Sequence, residues 1–274
     1  MNASTSTSTP APRKDNWALL PKRVLLGALC MDLFFAIAYS LTIWLPPTPT
    51  NKPLTFLFDL NGEGNVSAWW QGSQLLLVAL GFFALALWFF QSDERVAPLR
   101  RLFFVGGLAF AYLSADEIGQ VHENTSQLLQ SWHWLNQVET KALAALGKKM
   151  HRLHGGSLWI PIFAIIGIAL IWWLWPQLRL AWKLWHRQIL LLAAGFGLLV
   201  FAAAVLESIG DLLPAGVAGV RMIEVGVEET LESIGSSIVL YSVVSVLAQA
   251  GAGVLPGSAR RADVPAETPE AHAE

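Results

Sequence analysis

Ten of the chain's 20 carboxylates fall into a few short stretches: Glu63, Asp116, Glu117, Glu123, Glu207, Asp211, Glu224, Glu228, Glu229 and Glu232. Their spacing is helical. Asp116, Gln120 and Glu123 lie at i, i+4, i+7; Glu207 and Asp211 are four apart; Glu224, Glu228 and Glu232 form a stripe about 12 Å long. Like charges stacked at i+4 repel one another, and the only Lys or Arg inside the apolar runs that carry them are Arg100 and Arg101, at the far end of the third run from its acids. Something must balance the charge, and the choices are bound metal, protons held by the carboxyls themselves, or water.

With a metal, Asp116, His122, Glu123, Glu207, Asp211, Glu228 and Glu232 are the candidate ligands. Carboxylates with an imidazole suit Zn, Fe or Mn. Glu117 and Glu229 are then the candidate catalytic carboxylates, and His151 and His154 stand near the rim. A metal-activated water could attack a lipid-like or periplasmic substrate. Neither Glu-x-x-His nor HExxH occurs, so such a site follows neither the di-metal bundle nor the zincin pattern. With protons, the same groups form a relay, and Asp32, alone near the middle of the first apolar run, is its inward step. Two further readings stay open. The acids could bond Ser114, Ser208, Thr230 and Ser233 and merely tie helices together, or they could dock a partner protein.

The elements that must position these residues are membrane helices. The chain is 54% hydrophobic and 14% charged, about half the ionic content of a soluble domain, with mean hydropathy +0.48. Net charge −2 excludes a strongly basic nucleic-acid binder, and the single cysteine, Cys30, excludes disulfide frameworks and cysteine-based metal sites. No P-loop or GxGxxG is present. Six apolar runs, at roughly 23–45, 67–90, 99–118, 155–178, 188–213 and 224–250, are each long enough to cross a bilayer. In lipid they must be helices, giving an all-α, polytopic six-helix bundle over 17–250 with disordered segments at 1–16 and 251–274. The first run exceeds a signal-peptide core in length and ends in Trp44-Leu45-Pro46-Pro47, so it reads as a retained helix. The loop 119–154 has the apolar spacing of one or two short helices lying on the membrane surface.

Orientation follows from Lys and Arg in the loops. Counted on alternate sides, 12 fall with the termini and six opposite, which predicts both termini in the cytoplasm. Eleven of the 13 tryptophans sort to the ends of the runs, as two interfacial belts would: Trp44, Trp69, Trp70 and Trp159 outside; Trp17, Trp88, Trp172, Trp173, Trp175, Trp182 and Trp185 inside. The carboxylate stretches then lie in the outer half of the bilayer.

The run Ser114-Ala115-Asp116-Glu117-Ile118-Gly119-Gln120-Val121-His122-Glu123 resembles an S-x-D-E-x4-H-E signature of poorly characterised bacterial multi-pass membrane proteins. Asn61-Gly62-Glu63-Gly64-Asn65 followed by Ser67 and Trp69-Trp70, and the glutamate-rich start of the last run, are similar to the same group. The resemblance implies a bacterial cytoplasmic-membrane protein and supplies no reaction.

Overall fold

The computed structural model describes residues 15–45, 48–60, 64–90, 96–119, 121, 124, 159–206 and 218–252. Among them are α1 (Asp15–Ile43), the short α2 (Lys52–Leu57), α3 (Val66–Phe90), α4 (Leu99–Gly119), α5 (Trp159–Trp173), α6 (Trp175–Phe201), a π-helical turn (Ala202–Leu206) and α7 (Ala218–Gly251), with no strand. Five stretches are long and apolar enough to cross a membrane: Trp17–Ile43, Val66–Trp88, Leu99–Gly119, Trp175–Leu206 and Met222–Gly251.

Four of the six expected runs coincide closely with helices; the region 155–206 is partitioned differently. α5 is a helix of 15 residues, about 22 Å long. Leu174 then leaves helical geometry at φ −90°, ψ 5°, and Pro176 opens α6, a position where a missing amide hydrogen costs nothing. The basic stretch around Arg179, Lys183 and Arg187, expected as a loop, is helical instead. A break at Trp185 (φ −138°, ψ 46°) divides α6 into an amphipathic segment and an apolar one. The tails 1–14 and 253–274, most of the loop 119–154, and residues 207–213 lie outside the described residues.

Packing fixes the direction of every long helix. The Tyr39 hydroxyl donates to the Met222 carbonyl at 3.1 Å, so the end of α1 meets the start of α7. Ser114 donates to the Gly72 carbonyl at 2.7 Å, which sets the end of α4 beside the start of α3. Trp185 packs edge-on against Phe103, placing the basic part of α6 beside the start of α4. α5 runs along α4 in the opposite sense, with Phe163 against Tyr112 and Trp173 under the Arg101 guanidinium.

Two ends result. Lys22, Arg23, Arg100, Arg101, Arg179, Lys183 and Arg187 gather where α1, α4 and α6 begin and α7 finishes. Asp59, Asp116, Glu117, Glu224, Glu228, Glu229 and Glu232 gather at the other, and α3 and α7 are the most enclosed helices between them. The apolar core lies toward the basic end. It is built from Leu75, Val78, Phe82 and Leu85 of α3, Phe103 and Phe110 of α4, Trp185 of α6, and Val239, Val243 and Val246 of α7. Leu26, Leu33, Leu87, Ile165 and Leu190 are exposed on the outside of the bundle, the surface that lipid tails would cover.

α6 and α7 approach most closely at Gly195 and Gly235. A Cβ on Gly235 would meet the Gly195 carbonyl oxygen at 2.7 Å and the Leu199 nitrogen at 2.9 Å. Lipid supplies no hydrophobic drive between helices, so close backbone approach and interhelical hydrogen bonds take its place. Such a bond follows nearby, from the Ser242 hydroxyl to the Gln188 carbonyl at 2.6 Å.

Candidate functional site

α1 buries one stripe, formed by Ala28, Asp32, Phe35 and Tyr39 at i, i+4, i+7, i+11, so a carboxylate sits in the middle of the face that packs on the bundle. Asp32 is 3% exposed. It lies 11 residues before the end of α1, about 17 Å along the helix. Three donors from two other helices close on it. The Trp70 indole nitrogen and the Gln74 amide nitrogen reach Oδ1 at 2.9 and 2.8 Å, and the Ser237 hydroxyl reaches Oδ2 at 2.6 Å.

The proton inventory of this knot is determined. Indole and amide nitrogens only donate, so Oδ1 accepts twice. The Gln74 amide nitrogen also reaches the Ser237 oxygen at 2.9 Å, which leaves the serine hydrogen for Oδ2. The Phe35 and Trp70 rings stack at 6.5 Å and cover one side. Two buried acceptors find no hydrogen-bond partner among the described residues: Oε1 of Gln74, on the amide that holds Asp32, and Oγ of Ser236, beside Ser237 in sequence. Both residues are fully buried.

One turn toward the acidic end lies a second tier. The Gln71 amide nitrogen donates to Glu232 Oε2 at 2.9 Å, and its oxygen accepts from the Ser233 hydroxyl at 3.1 Å. Gln71 and Gln74 are three apart on α3; Glu232, Ser233, Ser236 and Ser237 occupy adjacent turns of α7. The two tiers therefore share the α3–α7 interface. Beyond them the Tyr39 hydroxyl lies in the electrostatic neighbourhood of Asp59, Glu224 and Glu229. The start of α3 is braced by Asn65, whose side-chain oxygen caps the helix at the Ala68 amide (3.0 Å), a bond that satisfies one orphan N–H of the first turn. Gly64, at φ +73°, turns the chain into that cap.

The sequence-derived candidates are distributed as follows. Asp116, Glu117, Glu228, Glu229 and Glu232 are half-buried at the acidic end. Of these, Glu232 joins the hydrogen-bonded tiers and Glu229 faces the Tyr39 neighbourhood. His122, Glu123, Glu207 and Asp211, with Glu63, His151 and His154, lie outside the described residues. Among the described residues no group of three or more His, Cys, Asp or Glu side chains is placed to hold a metal ion. The expected serine and threonine partners of the acids also behave differently. Ser114 and Thr230 donate to backbone carbonyls of Gly72 and Gly226, and Ser233 donates to Gln71; Ser208 is outside the described residues.

Of the tryptophans assigned to interfacial belts, Trp185 is interior and Trp70 half-buried. Trp185 is 2% exposed because the break in α6 turns it onto Phe103, and Trp70 is drawn inward by its bond to Asp32. Trp44 and Trp172 are exposed as a belt requires. The residues missed from sequence are Trp70, Gln71, Gln74, Ser236 and Ser237. Their signal was present: two glutamines one turn apart inside an apolar run, opposite a paired serine in another.

The profile of a family described as a domain of unknown function (DUF8692) matches residues 24–248, and the chain belongs to that family. No curated protein and no solved structure matches it.

Proposed function

We propose that this chain is a proton- or cation-coupled membrane transporter in which Asp32 is the intramembrane carrier group. The observation that carries the reading is a carboxylate buried at mid-span, held by side chains from two other helices, with orphan acceptors beside it. A charged group at that depth costs a helix about 2.5–3.5 kcal/mol on insertion scales. Glu232, Gln71 and Ser233 provide the next polar station toward the acidic end, where Glu224, Glu228, Glu229, Asp116 and Glu117 raise the local concentration of cations.

In this reading the chain crosses a bacterial cytoplasmic membrane six times. α4 finishes at the acidic end and α6 begins at the basic end, and α5, aligned along α4 between them, supports a sixth crossing. The cations at the end where α1 begins and α7 finishes support cytoplasmic termini. The acidic mouth then faces the periplasm.

Proton uptake into proteoliposomes under a potassium diffusion potential, read with a trapped pH dye, tests the reading. Wild type should acidify the lumen, Asp32→Asn should lower the rate at least about ten-fold, and Glu232→Gln should lower it less. A wild-type rate equal to protein-free vesicles, with sodium or potassium as the alternative ion equally silent, would overturn it. Chelation with EDTA should leave the flux unchanged. Loss of flux restored by Zn or Mn would instead favour the metal reading built on His122, Glu123, Glu207 and Asp211.

A further inference from the structure

At the basic end, a crevice of about 500 Å³ opens between the start of α1, the middle of α6 and the last turns of α7. Trp17, Lys22, Arg187, Tyr241, Ser245 and Gln249 supply its polar and aromatic lining, and Pro21, Leu191 and Ala248 supply apolar wall. We propose that this crevice binds the phosphate of an anionic phospholipid headgroup.

Four observations converge on that ligand. Lys22 and Arg187 come from different helices, so a compact anion between them satisfies both at once, and the lining contains no carboxylate. Among the described residues neither cation is paired with an acid. Ser245 spends its hydroxyl hydrogen on the Tyr241 carbonyl at 2.7 Å, whereas the Tyr241 hydroxyl and the Gln249 amide can donate to phosphate oxygens. Trp17 opens the first apolar span and Ala252 directly follows the last, which sets the crevice at headgroup depth, where basic pockets between helices recruit acidic lipids. The apolar wall then receives the upper part of the acyl chains, which a soluble phosphate would not need. The site lies at the opposite end of the bundle from Asp32 and stands independently of the transport reading.

The test uses the full chain in neutral detergent, with melting temperature and lipid retention in native mass spectrometry as readouts. Phosphatidylglycerol should raise the melting temperature and remain bound; phosphatidylcholine and inorganic phosphate should do neither. Lys22→Gln with Arg187→Gln should weaken phosphatidylglycerol binding about ten- to thirty-fold, and each single change should weaken it by part of that factor. Arg23→Gln removes the same charge from the same helix, outside the crevice, and should bind as wild type. Equal weakening by Arg23→Gln would reduce the effect to diffuse surface charge and overturn the site. Stabilisation by inorganic phosphate alone would assign the crevice to a soluble phosphate ester and overturn the lipid. A double variant that melts lower but keeps its full lipid response would mean that the cations serve only the carbonyls at the end of α7, and would overturn it too.

Discussion

α3 and α7 share one long interface, and its two halves are built on opposite rules. Toward the basic end, Leu75, Val78, Phe82 and Leu85 meet Val239, Val243 and Val246 in an apolar contact. Toward the acidic end, Gln71 and Gln74 meet Glu232, Ser233 and Ser237, with Asp32 of α1 completing the layer. The apolar half gains only packing, since lipid tails are as apolar as its own side chains. The polar half gains bonds whose loss is costly, because no water stands ready to replace them. The same two helices thus carry a polar layer and an apolar layer that abut at Gln74 and Leu75.

The largest effect expected on this contrast comes from Asp32→Ala. It strands the Trp70, Gln74 and Ser237 donors, each at roughly 1–3 kcal/mol, and should lower the SDS-unfolding midpoint more than any single truncation in the apolar half. A midpoint equal to wild type would mean the donors find other partners. Next, Gly235→Val drives a side chain into the backbone of α6 and should cost roughly 3 kcal/mol, measured the same way; Asp32-dependent flux per folded molecule should stay normal.

Val243→Ala hollows the apolar half for roughly 2 kcal/mol, again with flux intact, whereas Ser237→Ala should cost only about 0.6–1.7 kcal/mol yet impair flux. The inversion between those two is the sharpest expression of the contrast, and stability and flux falling together in both would erase it. Smallest in stability, and most telling, is the combined change Asp32→Leu, Trp70→Phe, Gln74→Leu and Ser237→Ala, which removes every member of the knot. Replacing a buried polar cluster with apolar groups is often neutral, so this variant should unfold near wild type in thermal scans while its flux is lost.

Much of this was readable along the chain. Runs of some 20 apolar residues in lipid can only be helices, so the all-helical architecture and the boundaries of α3, α4 and α7 follow from composition and length. The polar stripes were visible as well, but sequence could not say which met. Gln71 and Gln74 carry no charge to mark them, and their importance comes from the partners they meet, Glu232 and Ser233 for the first and Asp32 and Ser237 for the second. Trp185 reads as an interfacial tryptophan until the break in α6 turns it inward.

The chain alone therefore determined which segments are apolar enough to cross a membrane, how the charges divide between two ends, and that Asp32 lies in the middle of the first such segment. Each of these rests on transfer free energy, a property of a residue in its own segment. Tertiary packing decided that Asp32 joins α3 and α7, that Glu232 couples to Gln71, and that Lys22 and Arg187 share one crevice. Those outcomes depend on helix rotation and depth, which are set by contacts between segments far apart in sequence, such as the approach of Gly195 to Gly235.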